Sequence, residues 1–161
     1  MRVLILILLA TLFCVGRPMF AGRPAMVIHN DADLGIILSD LKIRMESTFI
    51  PSKKEAELPA KNLAHFLTFM INNEKNRHKR DKYKEISGHA EKYEWFVSGY
   101  INKHKKYLYC YLTTLFTEYP YDYPKDNGQF PIIRDGGSNV CFGVYDIAKQ
   151  RFIVLHSNGV G

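Results

Sequence analysis

Cys110, Cys141 and His156 are the residues of this chain whose types could combine in covalent chemistry. A thiolate beside an imidazole is the working pair of a cysteine hydrolase, and His89 and Asp135 would supply further polar groups to such a site. Neither cysteine stands at the start of a helical pattern, where a helix N-terminus would favour the thiolate, and no flanking signature accompanies either. The competing uses are a disulfide between Cys110 and Cys141, or plain packing. Metal ligation has a thinner basis. His89 lies near Glu91 and Glu94, and His29, His65, His78, His104 and His156 are scattered, but no HExxH helix or CxxC cluster is present. Solvent-facing polar residues account for them, so no metal and no cofactor is expected. The glycines of Asp135-Gly136-Gly137-Ser138 and Ser157-Asn158-Gly159 form neither a Walker-type nor a dinucleotide-binding motif and read as turns.

Two features point to binding. Lys75, Arg77, Lys79, Arg80, Lys82 and Lys84 crowd one segment, and Lys103, Lys105 and Lys106 could extend it toward an anionic partner; a solvated helix end would look the same. Tyr107, Tyr109 and Tyr111 alternate with Leu108, Cys110 and Leu112. With the aliphatic face in the core, the tyrosines would form an exposed row, joined by Tyr119, Tyr121 and Tyr123, of the rigid amphipathic kind that grips proteins or sugars. The opposite assignment buries the tyrosines against the helices.

The elements that must position these groups follow from periodicity. Asn30 or Asp31 caps a first amphipathic helix over about 31–46, with Leu34, Ile37, Leu38, Leu41 and Met45 at helical spacing. After a charged connection from Pro51, Pro59 suits the first turn of a second helix, with Leu63, Phe66, Leu67, Met70 and Ile71 as its buried stripe. Residues 72–84 are polar nearly all round and either prolong that helix into solvent or form a loop.

Thereafter the period changes to two. Glu94–Ile101 and Tyr107–Thr113 form one hairpin around a short basic loop, and Val140–Tyr145 and Phe152–Leu155 a second, with a long tyrosine- and proline-bearing loop from Thr117 to Phe130 between them. The fold class expected is α+β: two N-terminal helices packed on one face of a curved, mostly antiparallel four-stranded sheet made of two hairpins.

At the N-terminus one arginine precedes an apolar run from Val3 to Val15, well short of the ~20 residues of a bilayer-spanning helix. This is the layout of a secretory signal peptide, with cleavage expected after Ala21. Residues 1–21 are then the signal and 22–161 a single domain, exported to a periplasm or the extracellular space, with no transmembrane anchor after cleavage. Phe13 before Cys14 is too bulky for lipoprotein processing. The balance of 22 Lys and Arg against 16 Asp and Glu is only mildly basic, so nucleic acid is not an expected partner.

The helix-then-meander order resembles the cystatin-like and NTF2-like α+β folds, in which helices lie in the concavity of such a sheet. The tail residues Asp135-Gly136-Gly137, Tyr145-Asp146, Phe152 and Asn158-Gly159 look like the ends of small exported bacterial proteins of unassigned activity. That resemblance implies an architecture and no chemistry. The expectation is an exported, non-enzymatic binding module of the inhibitor, immunity or envelope-associated kind, with another protein or an anionic envelope component as partner. The alternative is a small secreted hydrolase with its site in a cavity between sheet and helices.

Overall fold

The computed structural model describes residues 25–115, 129–130, 133 and 136–158. The expected signal peptide, Tyr119, Tyr121, Tyr123 and Asp135 lie outside the described residues.

In chain order the elements are β1 (Met26–Val27), α1 (Asp31–Asp40), β2 (Ser47–Phe49), α2 (Lys53–Asn73), α3 (Arg77–His89), β3 (Glu94–Asn102), β4 (Lys105–Thr113), β5 (Gly137–Asp146) and β6 (Arg151–Asn158). The fold is α+β with a mostly antiparallel sheet in the order β1-β3-β4-β5-β6. β1 runs parallel to β3 at Phe96 and Val97, and β2 pairs antiparallel with the same edge at Gly99 to Ile101. Both expected hairpins are present. The short strands β1 and β2 enlarge the four-stranded expectation, and both are too brief to show a period in sequence.

Local chemistry sets the helix bounds. Asn30 caps α1 by accepting from the N–H of Asp33 at 3.1 Å. The helix stops at Asp40 rather than near 46 because Lys42 takes a left-handed φ of 58°, and the N–H of Ile43 returns to the Leu38 carbonyl at 2.8 Å. α2 starts six residues before Pro59. Ser52 and Glu55 form a capping box, so Lys53 to Glu57 become the first turns and the proline falls inside the helix. Residues 77–89 form a separate helix, α3, capped by Asn76.

The principal correction concerns the faces of the sheet. A single helical layer was expected, yet helices cover both faces. On one side α2 and α3 bring Leu63, Leu67 and Ile86 onto Trp95, Val97, Leu108, Cys110, Leu112 and Tyr145. On the other, α1 brings Leu34 and Leu38 onto Phe96, Tyr100, Tyr109, Tyr111 and Val144. Successive side chains of a strand point to opposite faces, and in β3 and β4 both sets are apolar or aromatic, so both faces require a cover.

Candidate functional site

The two thiols sit within the α2/α3 core and are free. Cys110 lies opposite Gly143 and Cys141 opposite Leu112, which makes them diagonal neighbours on the β4–β5 ladder. Such neighbours lie ~7–8 Å apart, beyond the spacing a disulfide spans. Burial pushes the Cys110 thiol up, and Cys141 up to about 12 despite the Tyr93 hydroxyl 3.3 Å from its sulfur. His156 lies opposite Phe142, one position from the Cys141–Ser157 pair, so its ring faces away from the thiols. The structure thus separates the cysteine–histidine combination. His89, at the end of α3, keeps a buried Nδ1 without a partner among the described residues. No group of three metal-ligating side chains gathers among the described residues.

The tyrosine row is also redirected. Tyr109 and Tyr111 are 3% and 7% exposed beneath α1, with the Tyr109 ring edge-on to Phe130. Tyr107 is half-buried and stacks on Tyr100. Tyr109 and Tyr111 belong to the second core, with Tyr107 packed at its margin, because α1 needs an apolar floor. Of the expected tyrosine surface, Tyr109 and Tyr111 are therefore interior, whereas Tyr107 stays half-buried and lines the concavity beside α2.

The basic stretches divide as well. Lys106 reaches Glu55 at the start of α2 at 3.5 Å and covers the Phe49 ring, whereas Lys75 to Lys84 follow the far end of that helix, about 30 Å of helix away. Within α3, Asp81 pairs with Arg77 and Lys84 at 3.7 and 3.1 Å. Lys79 and Lys82 instead line a small cavity of about 130 Å³ against Leu155, His156 and Ser157 of β6. Partial burial, followed by the Lys79 charge, holds the His156 imidazole below its usual range.

A concavity of about 540 Å³ lies between the second half of α2 and the β5–β6 hairpin. Phe66, Met70 and Phe152 line it, and Phe69 and Ile153 stand at its sides 57% and 56% exposed. Polar groups also converge there. Asn62 donates to the Tyr145 hydroxyl at 2.6 Å. The carboxylate of Asp146 accepts the Lys149 N–H at 3.0 Å and lies 3.9 Å from its ammonium, which fixes the turn and holds Lys149 beside Arg151 at the mouth. His65 adds an imidazole. An apolar body can be buried in this groove while an anionic end meets cations, within the usual volume range of small-ligand sites. Among the described residues, no helix is long and apolar enough to cross a membrane.

Lys149, Arg151 and Ile153 belong to no motif that would mark them in the sequence. Phe69 carried a sign, since it falls off the Leu63–Met70 stripe on a side of the helix otherwise occupied by His65 and Asn73. Comparison with known protein families, with curated proteins and with solved structures finds no match.

Proposed function

We propose that this chain is an exported, non-enzymatic binding protein and that it binds through the α2–β6 groove, taking a partner that is partly apolar and anionic. The observation carrying this reading is the pair Phe69 and Ile153, two large apolar side chains left more than half exposed on either side of one cationic-mouthed groove. Isolated exposed apolar residues are ordinary; two that share a concavity mark a place where burial is still to be gained. The buried thiols, raised above their usual range, favour packing over nucleophilic chemistry and so support binding rather than hydrolysis.

The test is fluorescence titration with anilinonaphthalene sulfonate, an aromatic anion of suitable size. Saturable enhancement is expected, weakened about tenfold or more by Phe69→Asp combined with Ile153→Asp and much less by Ile36→Asp, an exposed apolar residue on α1. Equal binding by all three proteins would overturn the groove assignment. Export is checked on the secreted protein, whose mass should begin at Gly22.

A further inference from the structure

We infer that the partner is an extended acidic peptide, laid along β6 as an additional strand and reaching both cavities beside it; this rests on the binding reading above. The first ground is alignment. Arg151, Phe152 and Ile153 line the large groove, while Leu155, His156 and Ser157 line the small cavity against α3, with Val154 alone between them. An occupant touching both must run parallel to β6 for about 10 Å, which is the reach of three residues of extended chain.

The second ground is the strand itself. β6 ends the sheet, and among the described residues only β5 pairs with it, so alternate N–H and C=O groups along its outer side lack a strand partner. Strand addition supplies main-chain hydrogen bonds for affinity and leaves side-chain pockets to specify the partner. The irregularity between Phe152 and Val154 turns Ile153 outward into the groove.

Charge then selects the occupant. Lys149 and Arg151 stand at one end of β6, and Lys79 and Lys82 at the other. A second copy paired antiparallel would bring Arg151 of each chain toward the other's Lys79 and Lys82; a parallel copy would set like against like. Both arrangements place cations on cations, whereas an acidic segment neutralises them. Its sequence should present an apolar residue to Phe66, Phe69 and Ile153, with acidic residues on both sides.

The experiment uses the purified chain and a fluorescein-labelled peptide of alternating valine and glutamate, as long as the eight residues of β6, read by fluorescence anisotropy. Three further probes accompany it: the same peptide N-methylated at alternate backbone amides, its lysine counterpart, and dodecanoate. The acidic peptide is expected to bind, more weakly as salt rises. N-methylation should cost at least about tenfold, and so should Lys79→Glu with Lys82→Glu, while the lysine peptide should not bind. Equal binding of the methylated and unmethylated acidic peptides would overturn strand addition. Binding of dodecanoate without any acidic peptide would overturn the peptide while leaving the groove reading intact. Failure of every probe would overturn both, and a dimer that forms through β6 and strengthens as salt rises would replace the peptide with a second copy.

Discussion

At Gly99 one hydrogen in place of a methyl group decides whether β2 can reach β3. A Cβ there would lie 2.5 Å from the Phe49 carbonyl oxygen and 2.8 Å from its ring. Neither atom can retreat cheaply, because the oxygen belongs to the paired strand and the ring lies under Lys106. Gly99→Ala is expected to destabilise the chain by about 1–3 kcal/mol through overpacking, seen as a lower urea midpoint. Gly88→Ala, where a Cβ meets open space, should be neutral or stabilising. Nothing in the string Ser98-Gly99-Tyr100 distinguishes this glycine from an ordinary one. The site suffers from the same blindness. Asn62 and Tyr145 are 83 positions apart, so no spacing could announce that their hydrogen bond ties α2 to β5 beside a groove that Asn62 lines. The tyrosine row is half legible: the alternation is plain, but that neither face of β4 meets solvent depends on α1, whose destination lies outside the pattern.

Among the elements, the hairpins were readable because aromatic and β-branched runs repeat at period two, and the β3–β4 turn shows how little loop they need. Lys103 and His104 alone make it, at φ of 49° and 60°, with the Glu46 carboxylate accepting the His104 N–H at 3.3 Å. α3 was harder because its sequence is polar around most of its circumference, with only Ile86 fully buried, so it carries no strong 3.6-residue stripe. α2 depends on its first turn. Glu55 accepts the backbone N–H of Ser52 at 2.9 Å and its hydroxyl at 2.8 Å, and these bonds, the backbone one first, hold its carboxyl below the usual range. A depressed carboxyl binds fewer protons folded than unfolded, so its stabilisation is complete above pH ~4.5 and fades as pH falls through the folded value. Ser52→Ala should cost about 1 kcal/mol at neutral pH yet keep part of that acid dependence, because the backbone bond survives. Glu55→Gln should remove this group's share of it. Urea unfolding of the three proteins at neutral pH and near pH 3 makes the comparison; equal acid sensitivity in all three would count against the capping box.

For the molecule as a whole, a sheet covered on both faces divides its stability unequally. On one side α2 spans 21 residues, buries Ala56, Pro59, Leu63 and Leu67, and is buttressed by α3. On the other, α1 spans ten residues and buries only Leu34 and Leu38, with Gly35 in its first turns. The apolar area holding α1 in place is therefore the smaller, and elements with few buried contacts open at lower free energy than the strands beneath them. Native-state hydrogen exchange should show the α1 amides opening sub-globally, while those of β4, at the centre of the sheet and within both cores, exchange only on global unfolding. Leu38→Ala should lower the α1 opening energy by about 3 kcal/mol, whereas Leu67→Ala should act mainly on the global transition. Opening α1 would uncover Tyr109 and Tyr111, so tyrosine absorbance under solvent perturbation should rise together with α1 exchange and ahead of global unfolding. If α1 and β4 instead exchange with one common energy, the two cores unfold as a single unit and α1 is no weaker than the helices opposite.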